Sequence, residues 1–442
     1  MHDNPLGIVA ELLLLLSVIL IAAKIGGEVS ERFLKIPPVL GELGAGILIS
    51  PFLIGGIHWF GGGALFELPL DAGEGLPVEP QLFFVAQLAA VVLLFEAGLE
   101  TDRRQFMKFV RPATAVAAGG VILPFVMGFG ATVMLGFASM DSVDDMLPAL
   151  FVGAIMTATS VGITARVLAD IRRLDSPEGV TVLAGAVVDD VLGIIILAIV
   201  VGIAEEGSVT AGSIGVIFLK AVGFWLGLMI IGSLVSRYIS TAVLWFKSAG
   251  GTLVLALSLA FVASAVAEIY FGLAMIIGGY TMGLALSGTE LKHQVEDSMR
   301  SVNNFLVPIF FVVIGMQVDF TAFGSGDTSL ASSLVFAAVL TVFAVFSKVA
   351  GAGIPALFVG FNRIGATRVA LGMLPRGEVA LIVAGIGLTS GVIGQDVFGV
   401  AIVMTVITTV LAPVFLIPAF RGGSGLKADT EPGSESAVDP AE

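Results

Sequence analysis

Apolar runs of bilayer length recur along nearly the whole chain, and that pattern restricts the fold before any single residue is considered. About 13 are legible. They lie roughly at 7–23, 36–54, 81–99, 112–137, 146–169, 179–204 and 212–236 in the first half. The others lie at 251–267, 272–287, 303–318, 331–359, 369–389 and 397–420, with only Glu268-Ile269-Tyr270 between the first two of them. An α-helix of about 20 apolar residues crosses the hydrocarbon core of a membrane. Only 13% of the 442 residues are charged, where soluble chains carry about 25%. The expected class is an all-α polytopic membrane protein of about 13 transmembrane helices. The absence of cysteine excludes a disulfide framework, thiolate metal sites and cysteine catalysis. The opening MHDNPLGIVAE lacks the basic region of a cleaved signal, so the first run is expected to stay as a span.

Loop charges test this segmentation. With the N-terminus outside, one set of loops holds Lys24, Arg32, Lys35, Arg103, Arg104, Lys108, Arg111, Arg172, Arg173, Arg237, Lys247, Lys292, Arg300, Arg363 and Arg368. The alternate loops hold acids such as Glu67, Asp71, Asp141, Asp144, Glu205 and Asp319, and no Lys or Arg. Basic loops favour the cytoplasmic side, which puts the N-terminus outside and the C-terminus inside. Residues 1–420 then form one transmembrane unit. The remainder, RGGSGLKADTEPGSESAVDPAE, is polar and acidic, composed like a disordered tail. The net charge of −14 comes largely from that tail and the acidic loops. It gives no basic groove for nucleic acid.

Few ionisable groups fall inside the spans: Glu42, Glu96, Arg166, Asp189, Asp190, Lys220, Lys348, Arg376 and Glu378. Lys220 and Arg166 lie near predicted span ends, where a long side chain can snorkel. Glu42, in PPVLGELGAG, and Glu96, in LLFEAGLE, read as helix-end or interhelical contacts. The histidines, His2, His58 and His293, fall at termini or loops; His293 has the chemistry of a pH sensor, and a solvated loop histidine is the simpler reading.

Asp189 and Asp190 stand apart. They sit in GVTVLAGAVVDDVLGIIILAIVVGIA, where an acidic group near the bilayer centre costs about 2.5–3.5 kcal/mol even on lenient insertion scales. Successive helical residues are about 100° apart, so the two carboxylates can face one cavity. There a proton and Na⁺, a hard cation that prefers oxygen, would compete for them. The alternative is a pair of protonated acids bonded to other helices. Lys348 lies mid-span with no acid close in sequence, and a buried ammonium needs a counter-charge or loses its proton. Asp189 or Asp190 is the simplest partner.

Two spans read as interrupted. In GAIMTATSVGITARVLADI, Thr157, Thr159 and Ser160 break the apolar run, and their hydroxyls and freed carbonyls are cation-ligand candidates. In ALGMLPRGEVALIVAGIGL, Pro375 and Gly377 loosen the helix beside Arg376 and Glu378. Those two charges form either a local structural ion pair or part of the ion path. Spans 5 and 12 are seven apart, and discontinuous helices at corresponding positions of two halves point to a midplane site.

The motifs PPVLGELGAGILISP, LLFEAGLE, TATSVGITARVL, AGAVVDDVLGII, LVPIFFVVIGMQVD, the Ser-Lys of FSKVAGAG, and LPRGEVALIV run in order over about residues 37–413. In them the chain resembles the monovalent cation/proton antiporters, in the prokaryotic Na⁺/H⁺ branch related to Kef-type transporters. The resemblance implies an inverted-repeat fold with two crossing discontinuous helices, core and dimerisation parts in an elevator-like motion, and a homodimer in a prokaryotic cell membrane. It implies that Asp190 is the essential ion-binding carboxylate and that Asp189 pairs with Lys348 when the ion is absent. Thr157, Thr159 and Ser160 fall on the unwound crossing. Paired Asp-Asp goes with electrogenic exchange of Na⁺ or Li⁺ for protons, with no cofactor. Kef-type relatives usually carry Gln-Asp here and a nucleotide-binding domain after the spans, so the chain departs from glutathione-gated potassium efflux. K⁺/H⁺ antiport stays open, because ion size is not legible. An intramembrane aspartyl protease fits poorly, since its two carboxylates come from different helices and no GxGD motif appears. An ion channel would pass unitary currents, whereas alternating exchange saturates.

Overall fold

The computed structural model describes residues 5–34, 38–57, 64–66, 78–206, 211–243, 250–288, 291–318 and 329–427. The first helices are α1 (Pro5–Val29), α2 (Pro38–Leu48), α3 (Pro80–Glu100), α4 (Arg103–Met134) and α5 (Val143–Thr157). Then follow α6 (Val161–Asp170), α7 (Pro177–Glu206), α8 (Ala211–Val243), α9 (Gly251–Val266) and α10 (Met275–Leu286). The last are α11 (Leu291–Met316), α12 (Leu330–Phe358), α13 (Arg363–Gly372), α14 (Glu378–Thr389) and α15 (Gln395–Ala419). Among the described residues, ten stretches are long and apolar enough to cross a membrane. Three shorter apolar helices, Pro38–Leu48, Met275–Leu286 and Val379–Leu388, accompany them. The all-α polytopic architecture is as expected.

Several boundaries differ from the hydropathy reading, each for a physical reason. Helix α4 starts at Arg103 and α11 at Leu291, about nine and twelve residues before the apolar runs. Their first turns carry charge, which lowers hydropathy but leaves backbone hydrogen bonding intact, so the helix continues past the apolar slab. Conversely α2 stops at Leu48, short of the expected 54, because Pro51 disfavours helix in the residue before it and supplies no N–H.

The helices form two bundles. In one, α4 packs along α12, α7 and α5, while α12 also meets α13 and α15, and α14 meets α5. In the other, α3 lies between α10 and α11, α2 between α1 and α11, and α10 against α8 and α9. The seam is carried chiefly by α6 against α3 and α2, and by α7 against α8. Close approach within each bundle depends on small residues, the usual device where lipid gives no hydrophobic drive between helices. A Cβ at Gly119 of α4 would collide with the Gly351 carbonyl of α12; one at Gly283 of α10 would collide with the Phe95 carbonyl of α3.

Residues 428–442 of the acidic tail lie outside the described residues, but 421–427 fold back onto the bundle. Lys427 N donates to Gly360 O at 3.0 Å, and Leu426 bridges Phe361. Asn362 accepts from the N–H groups of Ile364 and Gly365, capping α13, while its Nδ2 donates to Ser424 O and Leu426 O.

Candidate ion-binding site

The two interrupted helices meet at their breaks. Helix α5 ends at Thr157, Ala158–Ser160 run extended, and α6 resumes at Val161. Helix α13 ends at Gly372, and α14 resumes at Glu378 after a break containing Pro375. The breaks are stitched together where Ser160 N donates to Pro375 O at 2.7 Å. Gly377 has no alternative there, since a Cβ would sit 2.8 Å from Ser160 Oγ.

A broken helix strands carbonyls at the end of its first half, and that end carries partial negative charge. At α5 these carbonyls are taken by cationic side chains. Lys348 Nζ of α12 donates to Thr157 O at 2.7 Å, and Arg376 Nη2 donates to Met156 O at 2.7 Å. At α13 hydroxyls serve: Thr164 Oγ1 donates to Gly372 O at 2.6 Å and Thr159 Oγ1 to Met373 O at 3.5 Å. The freed carbonyls expected as cation ligands are thus held by the protein's own donors, and the Thr157 hydroxyl donates to Ala154 O at 2.8 Å.

Helix α7 brings Asp189 and Asp190 to this crossing, 2% and 6% exposed. Lys348 is fully buried and pairs with Asp189, Nζ to Oδ1 at 3.1 Å. The residues alone left the partner open between the two aspartates, and the resemblance implied Asp189; the structure places Lys348 on Asp189. Both carboxylates line a small cavity of about 50 Å³ with Thr157, Ala158, Gly193 and Val383. That is room for a dehydrated or partly hydrated small cation beside carboxylate and hydroxyl oxygens, a hard donor set. Thr157, Thr159 and Ser160 are all buried at the crossing.

Arg376 is also fully buried. Besides Met156 O, it reaches Leu374 O and Ala344 O, each at 3.5 Å, and Thr409 of α15 donates to its carbonyl. Glu378 opens α14, but its side chain lies outside the described residues, as do those of the three histidines. Lys220 is exposed on α8. Arg166 pairs with Asp170 on its own helix at 3.3 Å.

Sequence reasoning missed a second buried ion pair. Arg368 of α13 and Glu178 of α7, 5% and 3% exposed, meet with Nη1 to Oε1 at 2.7 Å. Each falls just before an expected span, 179–204 or 369–389, so each read as an ordinary loop charge; no hydropathy signal distinguishes them.

These observations converge with comparisons to known proteins. Residues 15–422 match the family described as sodium/hydrogen exchanger, transmembrane. The chain belongs to that family. It is 36% identical over 441 residues to a protein named high-affinity Na⁺/H⁺ antiporter NhaS3 of Synechocystis, covering 96% of this chain and 93% of that one. It is 32% identical to a Na⁺/H⁺-K⁺ antiporter, GerN, of Bacillus cereus, over 91% of this chain and 94% of that one. Among solved structures, the sodium proton antiporter MjNhaP1 of Methanocaldococcus jannaschii superposes with a TM-score of 0.63 at 16% identity. The match covers 93% of this chain and 99% of that one, a likeness of fold. The exchanger is therefore a multi-pass membrane protein of antiporter fold.

Proposed function

We propose that the chain is a secondary active antiporter exchanging Na⁺, or Li⁺, for protons through a single midplane site. The observation that carries this reading is the buried Lys348–Asp189 contact beside Asp190, at the crossing of two broken helices. Asp190 is the principal cation ligand. Asp189 is held by Lys348 when the cation is absent and released to it when the cation enters. A carboxylate must be deprotonated to bind a cation, so protons and Na⁺ take turns and exchange is obligatory. The lysine that loses its counter-ion can shed its proton, which makes the cycle electrogenic. Thr157, Thr159 and Ser160 line the path, and Arg376 holds the crossing in register.

Alternating access then takes the form of one bundle, α4–α7 with α12–α15, moving against α1–α3 with α8–α11, the latter supplying a homodimer contact. The basic loops face the cytoplasm of a prokaryotic cell, with the N-terminus outside, the tail inside and thirteen crossings. Because the chain has no cysteine, Met140→Cys, exposed in an acidic-face loop, reports orientation. An impermeant maleimide should label it from outside intact cells; labelling only after lysis would reverse the orientation.

In proteoliposomes, Na⁺-driven proton movement is expected to vanish in Asp190→Asn; full exchange by that variant would end the proposal. The apparent Na⁺ affinity should tighten as pH rises through the neutral range, because fewer protons compete. An affinity that calorimetry finds indifferent to pH would remove the shared-site premise. The name of the GerN relative supports K⁺ as a second cargo, and running the assay with Na⁺, Li⁺ and K⁺ in turn separates these.

A further inference from the structure

The seam between the bundles opens at the basic-loop end into two polar cavities flanking α6. One, about 440 Å³, lies between Arg166 of α6 and the helices α1, α2 and α11, and Glu42 lines it. The other, about 680 Å³, lies among α3, α6 and α11 and includes Asn303. Arg166 and Asn304 are common to both.

Glu42 is an unusual wall residue. It is 5% exposed, and its Oε2 has no hydrogen-bond partner among the described residues. The cations nearby are committed elsewhere. Lys24 pairs with Glu28 at 2.9 Å, Arg32 with Glu28 at 2.6 Å, and Arg166 with Asp170 at 3.3 Å. Glu31 adds a further carboxylate to the same cavity. On α11 of the same bundle, lining the second cavity, Asn303, 3% exposed, presents an amide with neither Oδ1 nor Nδ2 bonded among the described residues. Burying a carboxylate and an amide without partners is unfavourable unless something else satisfies them.

Position supplies the purpose. Helix α6 begins at the ion-site crossing, and Arg166 lies six residues along it, about 9 Å at the helical rise. Arg166 and Glu42 line one cavity from opposite bundles. We propose that Glu42 is a cation-recruiting carboxylate, forming with Asn303 of the neighbouring cavity an inner vestibule along α6 where the monovalent cation pauses on its way to or from Asp189 and Asp190. This rests on the antiport reading above and adds a second, weaker cation station to it.

The test uses the full chain in proteoliposomes, oriented through Met140→Cys. Glu42→Gln is expected to raise the KM for Na⁺ presented at the basic-loop face about three- to tenfold, with a smaller change at the opposite face. Glu42→Asp should restore most of the loss. Asn304→Asp, which adds a carboxylate to both cavities, should lower the same KM, and it decides the matter if Glu42→Gln fails to assemble. An unchanged KM, or equal shifts at both faces, overturns the vestibule. Asp190→Asn is measured in parallel: its inactivity leaves the exchange reading standing whatever Glu42 does, and its activity removes that reading.

Discussion

Two buried ion pairs join helix α7 to its neighbours, and they are built for opposite purposes. At the basic-loop end, Arg368 gives Nη1 to Glu178, Nε to Ala419 O at 2.9 Å, and Nη2 to the carbonyls of Gly422 and Gly423. Its guanidinium also lies 4.9 Å over the Phe420 ring. Near the middle of α7, Lys348 meets Asp189 through one 3.1 Å contact and donates to Thr157 O. The fork of arginine, with all three of its nitrogens engaged, fixes its partner, whereas the compact ammonium of lysine makes a point contact that an entering charge can displace. The same α7 is thereby clamped at one end and, on the antiport reading proposed above, exchangeable at Asp189.

The contrast can be broken at its strong side first. Arg368→Ala removes one partner of a buried pair and strands Glu178, so a loss of about 3–5 kcal/mol is expected. Thermal unfolding in detergent reads this as a markedly lower midpoint, and the protein that survives should keep its Na⁺ affinity. A changed affinity with unchanged stability would make Arg368 part of the ion path. Ending the chain after Phe420 removes two carbonyl acceptors of Arg368 and the Asn362 clasp, and should lower stability by about 1–3 kcal/mol. Ending it after Lys427 should change nothing, and equal behaviour of the two truncations would show that the strap is idle.

On the weak side, Lys348→Ala should destabilise least, by about 1 kcal/mol, because a proton or cation can replace the ammonium beside Asp189. Its effect belongs to coupling: exchange should lose part of its response to pH and membrane potential. A variant that responds to both as the parent does would refute the lysine's part. Lys348→Arg sharpens the comparison further. A fork in place of a point charge should slow exchange while leaving assembly intact, and a rate equal to the parent's would dissolve the distinction between the pairs.

Much of this architecture was legible along the chain because its cause is local. Apolar length marks a crossing wherever it occurs, and the alternation of basic and acidic loops orders the crossings. Pro375 and Gly377 announce one break through backbone chemistry, and Thr157, Thr159 and Ser160 announce the other through hydroxyls. Asp189 and Asp190 declare themselves by being acids in an apolar run. Helix starts were misplaced at α4 and α11, where charged turns continue a helix that hydropathy cannot follow. Glu178 and Arg368 stayed hidden for a related reason. Near span ends a charge is unremarkable, and only burial makes it informative.

The sequence by itself determined which segments cross, where two of them break and which acids sit at depth, since each depends on the transfer free energy or backbone freedom of neighbouring residues. Only the tertiary structure decided that Arg368 meets Glu178 across 190 positions and that Arg376 caps Met156 across 220. It alone folded residues 421–427 over Arg368 and left Glu42 facing a cavity. Those choices rest on which buried donors find acceptors once the helices are packed, and no stretch of chain contains both members of such a pair.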